Sequence, residues 1–436
     1  MSDSTDLGCD VLVIGAGPSG IAASVCAAER GAHVLLVDDN ALPGGQIWRA
    51  CAGETPAQRS AGKTANRWLD RLAASGVAFL SSTRVVAQLT AHSVLAESET
   101  NAIDISFQNM ILANGARELL LPFPGWTLPN VFAAGGLQAL VKSGFSVDGK
   151  RIVVAGTGPL LLAVAAYLRS KGARIAGIYE QSSFSNMVSF GASLLARPAI
   201  LKEALAYRAA LAGVPLRWGW WPVSAQGDSV VQSLTVTDGS RRETLECDLV
   251  ACGFHLVPNT ELQSACGCAI ADGKTKVDKW QRTSVQNIFS VGETTGIGGL
   301  ELALLEGQIA GLAATGFSDA DPAAKTLLVR KKKLEGVARA MDRAFALRTE
   351  LRTLVEPDTI VCRCEDIPWS EIRHQRSARS AKLHTRCGMG ACQGRICGAA
   401  LYYLSGWSSE STRPPIFPVR VSTLIRTPES LSKEKP

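Results

Sequence analysis

The sequence has almost no charge of one sign to spare. Lys and Arg exceed Asp and Glu by only six over 436 residues, and this dispersed excess argues against a nucleic-acid-binding surface. Lys331 to Lys333 make one short basic run, of the kind that usually forms a solvated helix face. Long unbroken apolar runs are also missing. The stretch from Ile152 to Leu168 approaches the length of a membrane span, but Gly156, Gly158 and Pro159 interrupt it where a strand would turn into a helix. It therefore reads as a buried strand–helix unit, and no transmembrane segment is expected. The first ten residues are polar and acidic, unlike a secretory signal or an Arg-rich transit peptide. The expected location is the cytoplasm, with peripheral attachment at the inner membrane as the variant. Lacking a secretory signal, the chain is a poor candidate for a disulfide framework despite twelve cysteines. No local Ser-His-Asp or paired-carboxylate arrangement stands out, so no catalytic residue is assigned.

Five of the twelve cysteines fall between Val361 and Cys397. Cys362 and Cys364 flank one residue, and Cys387, Cys392 and Cys397 follow in a run interleaved with Gly388, Gly390, Gly394 and Gly398. Thiolates this dense among glycines suit a loop folded around a soft metal centre, because glycine lets backbone amides approach the sulfurs. The reading is an iron-sulfur site. Its ligands are taken as Cys362, Cys364, Cys392 and Cys397, with Cys387 as the spare. A four-cysteine structural zinc is the leading alternative, although its pairs usually hold two to four residues inside them. Buried free thiols are the remaining one.

Two stretches carry the pattern of a dinucleotide-binding fold. Asp10 to Ile14 reads as a buried parallel strand and Pro18 to Arg30 as a helix, joined by Gly15-Ala-Gly17-Pro-Ser19-Gly20. Gly15 permits the tight turn, Gly17 lets the backbone approach a pyrophosphate, and Gly20 allows helix to pack on strand. A second strand, His33 to Val37, ends at Asp38, where an acid would bind ribose hydroxyls, with Asp39 as the alternate. Further on, Arg151 to Leu161 repeats strand, glycine turn and helix, and Ala176 to Glu180 ends another strand in an acid. There Leu161 replaces the third glycine, which puts NAD(P)H binding in question. No C-x-x-C pair lies in this second region, which disfavours dithiol catalysis. Cys252, Cys266 and Cys268 read as buried thiols, and His255 as a core or turn residue.

The expected class is α/β. Two Rossmann-like dinucleotide-binding domains are followed by a small C-terminal module. A discontinuous first domain spans 1–125 and 275–318, an inserted nucleotide-binding domain 126–274, a helical connector 319–357, the cysteine module 358–405 and an extended tail 406–436. The charged stretch from Ala323 to Leu354 reads as helix. The tail, with Pro414, Pro415 and Pro418, reads as lying extended on another surface.

Several of these segments resemble flavoproteins of the disulfide-reductase-like type. Pro43-Gly44-Gly45-Gln46-Ile47-Trp48 resembles the loop that runs alongside FAD in them. Asn287 to Glu293 is similar to the element that sets an acid, usually Asp, against the flavin ribityl chain. The resemblance thus implies FAD contacts from Gly45, Gln46, Gly292 and Glu293. Ile111 to Arg117, with Gly115, resembles the crossing into the inserted domain, although Asn114 stands where Thr is common. Together with Cys-Arg-Cys-Glu-Asp at 362–366 and Thr385 to Arg395, the chain resembles the larger flavin and iron-sulfur subunit of heteromeric amine dehydrogenases. That group includes the larger subunit of opine (octopine or nopaline) oxidase and subunits of D-hydroxyproline dehydrogenase and hydrogen cyanide synthase. The module resembles a bacterioferritin-associated-ferredoxin-like (BFD-like) 2Fe-2S domain. As cofactors the resemblance implies FAD, a 2Fe-2S cluster and FMN shared with a partner. As partners it implies an amine-oxidising flavoprotein β subunit, together with a third small subunit and a downstream electron acceptor. The competing expectation is a self-sufficient NAD(P)H-dependent reductase.

Overall fold

The computed structural model describes residues 5–49, 62–194, 198–407 and 412–425. It divides into two units, one of 1–116, 258–335 and 411–436, the other of 117–257 and 336–410. The change-overs fall earlier in the chain than the 125/126 and 274/275 drawn from sequence. The reason lies in the cores: Phe123 and Trp126 are buried with Tyr179 and Val250 of the insertion, whereas Leu262, Cys266 and Cys268 pack with Leu12 and Met110 of the first fold.

In the first unit, the uninterrupted apolar runs Val11–Ile14 and Val34–Val37 are buried, as strands covered on both faces must be. The strand Thr5–Ile14 lies between Val34–Val37 and Ala102–Leu112, parallel to both. Ala78–Leu80 extends the sheet beyond Val34–Val37, while Ser93–Glu97 and Arg84–Thr90 extend the other side antiparallel. Ile288–Ser290 returns from far downstream to pair in parallel with Ala102–Leu112. Helices Pro18–Ala28 and Gly299–Ala313 pack together at bare backbone. A Cβ on Gly307 would lie 2.1 Å from Ser19 O, and one on Gly311 2.2 Å from Ala23 O.

The second unit holds a five-stranded parallel sheet in the order Leu216–Trp218, Arg174–Glu180, Arg151–Gly156, Leu249–Gly253, Val131–Ala133. Beside it run three antiparallel strands, Trp221–Gln226, Ser233–Thr237 and Arg242–Glu246. Leu161 is buried, and its side chain reaches over Gly253, where the missing side chain leaves it room. The cysteine-rich module belongs to this unit. It is a short hairpin, Ile360–Cys362 with Ile367–Pro368, and the helices Ala378–Thr385 and Cys397–Ser405 around a small core of Val361, Ile372, Ala381 and Leu401. Trp126 Nε1 donates to Ile360 O at 2.6 Å and Arg117 Nε to Arg395 O at 2.9 Å, tying module to insertion.

The connector departs from expectation. Its α-helix runs Ala324–Ala344 and a 3-10 turn, Thr349–Thr353, follows; between them Ala346 O and Arg348 N–H bond to the side chain of Gln181 in the insertion instead of to their own turn. In the tail, a short helix, Val421–Leu424, follows Ile416, whose N–H donates to Val86 O at 2.9 Å. The rest of the expected tail, 408–411 and 426–436, lies outside the described residues. Among the described residues, no helix is long and apolar enough to cross a membrane.

Candidate functional site

The first glycine turn is built by close approach. Gly15 has φ +106°, and a Cβ there would lie 2.3 Å from Ala113 O; one on Gly20 would lie 1.8 Å from Gly15 O. Gly17 differs, with no heavy atom within 4 Å of its Cβ position. It caps the helix in extended conformation, and Pro18, which has no N–H to leave unsatisfied, opens the first turn. The Gly44–Gly45 turn lies on this one: Gly44 N–H donates to Ala16 O at 2.8 Å, and a Cβ on Gly45 would come within 2.9 Å of Gly17 Cα. Gln46 beside it is exposed. Gly292, at φ +71°, adjoins Ser19, whose Oγ would be 2.6 Å from a Cβ. Gly115, at φ +66°, again has open space, and next to it Asn114 Oδ1 is buried with no hydrogen-bond partner among the described residues.

Three acids surround these turns. Asp38 is 9% exposed; its Oδ2 accepts from Ala16 N–H at 2.5 Å and its Oδ1 from Asn40 N–H and Nδ2 at 2.8 and 2.7 Å. Asp39 is exposed and pairs with Arg84 at 3.3 Å. Glu293 Oε1 accepts from Gly299 N–H at 3.1 Å, at the start of the following helix. Sequence reading passed over a fourth acid, Glu306, which is buried and accepts from Gly292 N–H at 2.8 Å and Thr295 Oγ1 at 2.9 Å. Burial pushes its carboxyl up to about 7, outweighing the opposing charge of Lys331. In the sequence it is one more Glu on a helix, so only its burial distinguishes it.

The turn of the second unit is differently furnished. Glu180, 3% exposed, accepts from Thr157 Oγ1 at 2.7 Å, Ser182 N–H at 2.9 Å and Gly158 N–H at 2.7 Å. Burial raises its carboxyl above the usual range against the pull of these bonds. Pro159 has no N–H, and Leu161 N–H donates back to Gly158 O at 3.1 Å. His255 sits at a turn with φ +133°.

In the module, Cys362, Cys387 and Cys397 are buried, with their sulfurs all within 4.8 Å of one another. The free thiol of Cys397 lies against those of Cys387 and Cys362, while the more exposed Cys364 lies against Cys392. Three thiols therefore converge, with Cys364 and Cys392 paired apart from them, and the residue set aside as spare lies inside the group of three. Spacing could not reveal this, because the chain reverses twice between Cys364 and Cys387. Gly390 has to be bare, since its Cβ would strike Cys364 Cβ at 2.3 Å. Gly388 N–H donates to Cys362 Sγ at 3.5 Å. Burial opposes ionisation of Cys392, but the amides of Ile396, Gly394 and Arg395 and the Cys364 thiol bring it below the ordinary thiol range. Soft sulfur ligands with backbone amides donating to them fit an iron-sulfur centre.

Residues 9–320 match the family model of pyridine nucleotide-disulphide oxidoreductases. The chain belongs to that family. It is 32% identical to hydrogen cyanide synthase subunit HcnB of Pseudomonas protegens, over 88% of this chain and 89% of that one. It is 31% identical to the A subunit of opine oxidase from Rhizobium meliloti, over 94% of this chain and 97% of that one. Among solved structures, L-proline dehydrogenase from P. horikoshii has the same fold at 17% identity, with a TM-score of 0.68 over 98% of this chain and 81% of that one.

As a member of the pyridine nucleotide-disulphide oxidoreductases the chain is an oxidoreductase, and the family supports FAD as its cofactor. The residues present fit that group. Gly17 and Gly115 leave open space, and the buried Asn114 Oδ1 lacks a partner among the described residues. In the second fold the glycine turn and its acid are bonded to the protein itself.

Proposed function

We propose that this chain is the electron-relay subunit of a heteromeric amine dehydrogenase, acting with a flavoprotein β subunit that oxidises an opine of the octopine or nopaline kind. The observation that carries the reading is one chain holding both an FAD-type glycine site and a cysteine-rich module in which three of five thiols converge. Relatives that span nearly its whole length bear the names of the opine oxidase A subunit and hydrogen cyanide synthase subunit HcnB, and the oxidation of the D-hydroxyproline type is the nearest variant. On the partner, hydride removal from the opine's secondary C–N unit gives an imine, which water splits to an amino acid and a 2-oxo acid.

FAD, when bound, exchanges electrons in pairs and an iron-sulfur cluster one at a time, so the two together convert between regimes. The chain's own residues hold and tune them. Gly15, Gly17, Ser19 and Gly20 present the helix N-terminus to a pyrophosphate; Gly45, Gln46, Gly115, Gly292 and Glu293 line the flavin's course, and Asp38 or Asp39 meets the ribose. A 2Fe-2S cluster would be held by Cys362, Cys364, Cys392 and Cys397, with Cys387 beside Cys362 and Cys397, and would supply one-electron transfer. FMN at the partner interface, a third small subunit, one downstream acceptor and a cytoplasmic or inner-membrane-peripheral location complete the proposal.

The test is an anaerobic visible spectrum of the chain co-purified with its β subunit, before and after a panel of opines. Bleaching of flavin and cluster bands by an opine, absent when the β subunit is omitted, is expected. Bleaching without the β subunit, or by no amine at all, overturns the reading.

A further inference from the structure

The second glycine turn has a neighbour that no dinucleotide-binding fold needs: the four residues after the connector helix. Gln181 follows the acid Glu180 and is 2% exposed. Its Nε2 donates to Thr157 Oγ1 at 3.0 Å and to Ala346 O at 3.1 Å, and its Oε1 accepts from Arg348 N–H at 3.1 Å. Thr157, inside the glycine turn, gives its hydroxyl proton to Glu180 and lies with Oγ1 3.5 Å from Phe345 O. The side chains lock the same seat. Phe345 is 5% exposed and meets Phe190 edge to face at 5.4 Å, while the Arg348 guanidinium stacks 3.9 Å over Trp221 and donates to Gly219 O at 3.3 Å. Tyr403, from the last helix of the cysteine module, donates its hydroxyl to Arg348 O at 2.5 Å.

We propose that the second fold is closed to NAD(P)H by its own chain, with Phe345 to Arg348 seated where the adenosine half of the dinucleotide would lie. In a working fold of this type the acid ending the second strand binds the ribose, and the amides opening the helix bind the pyrophosphate. Here both oxygens of Glu180 are engaged by the turn and Ser182, the Gly158 amide is spent on Glu180, and Pro159 offers none. Open space remains at Gly158, so the closure is on the ribose side. A nucleotide would have to break the Gln181 bonds and leave buried polar groups unpaired, which is costly. The insertion thus serves as a socket that anchors the connector and, through Tyr403, the cysteine module. It follows that electrons do not enter this chain from a nicotinamide held in this fold. The closure does not depend on which amine, if any, the complex oxidises.

Hydrogen exchange and NADH fluorescence on the flavin-loaded full chain test this. The Arg348 amide should exchange as slowly as the sheet, unchanged by NADH or NADPH, and about tenfold faster in Gln181→Ala, which removes one hydrogen bond. Neither nucleotide should bind saturably up to about 1 mM. Free exchange at Arg348 in the unaltered chain overturns the closure. So does saturable binding that Gly158→Val abolishes; binding that survives Gly158→Val lies elsewhere and leaves the closure standing.

Discussion

Cys387 and Cys392 share a loop but differ in what their loss removes. Cys392 is the thiol toward which three backbone amides turn, and Cys364 is its contact. Cys364→Ser or Cys392→Ser should therefore strip iron and the cluster's visible absorbance while flavin content stays unchanged. Cys387→Ser should keep its iron, because both thiol pairs survive it. Cys397→Ser is the informative contrast, since Cys387 already bonds to Cys397 and can take its place at a shifted spectrum. Iron analysis decides, and full iron in Cys392→Ser would sink the assignment. Glu306 makes a separate prediction from its carboxyl at about 7. A carboxyl raised on folding is best tolerated below its ordinary value, so its stability contribution is lost as pH rises from about 4.5 through 7, by roughly 3 kcal/mol at most. Glu306→Gln lacks that loss. Melting temperatures at pH 5 and pH 8 should show a smaller fall for the variant than for the parent; equal falls would refute the burial argument.

At the scale of elements, helices Pro18–Ala28 and Gly299–Ala313 meet at Gly307 and Gly311, where a Cβ would overlap backbone oxygen. Gly307→Ala or Gly311→Ala should push the pair apart, costing on the order of 1–3 kcal/mol, and should lower flavin content by shifting the turn at Ser19. Gly336→Ala, inside a helix with nothing within 4 Å, should stabilise by about 0.4–1 kcal/mol. Calorimetry that ranked the two alike would undo the packing account. These glycines also mark how far the sequence could be read. Gly15, Gly17 and Gly20 announce a strand–turn–helix because their spacing is dictated by local geometry. Gly307 and Gly311 carry no such signal, because what they approach lies almost 300 residues away. The connector has the same limit: Phe345 to Leu354 continues a charged, helix-compatible run, and the bonds from Gln181 and Tyr403 that hold Ala346 and Arg348 out of the helix come from residues distant in the chain. Likewise the glycine-rich cysteine run marked where thiols gather, while the side of the group on which Cys387 sits depended on how the chain turns back.

At the scale of the molecule, residues 412–425 return to the unit that holds residues 5–49 and 62–116. Arg84–Thr90 is the last strand of the first sheet, and an unpaired edge is a template for aggregation. The tail covers it. Ile416 is buried among Val85 and Val94 and donates its N–H to Val86 O, and Phe417 lies 4.8 Å under the Arg84 guanidinium. Further along, Arg420 and Thr423 both reach Glu97, at 3.0 and 2.7 Å. Partial burial opposes ionisation of Glu97, but these bonds hold its carboxyl below the ordinary range. A carboxylate depressed in this way contributes its grip above the ordinary value near 4.5 and loses it as pH falls through the lowered one. Truncation after Trp407 should then expose the edge at neutral pH, lowering the melting temperature and raising light scattering, whereas Glu97→Gln should do so more weakly and flatten the acid limb. A truncated chain that stays monomeric and melts with the parent would show that the edge protects itself.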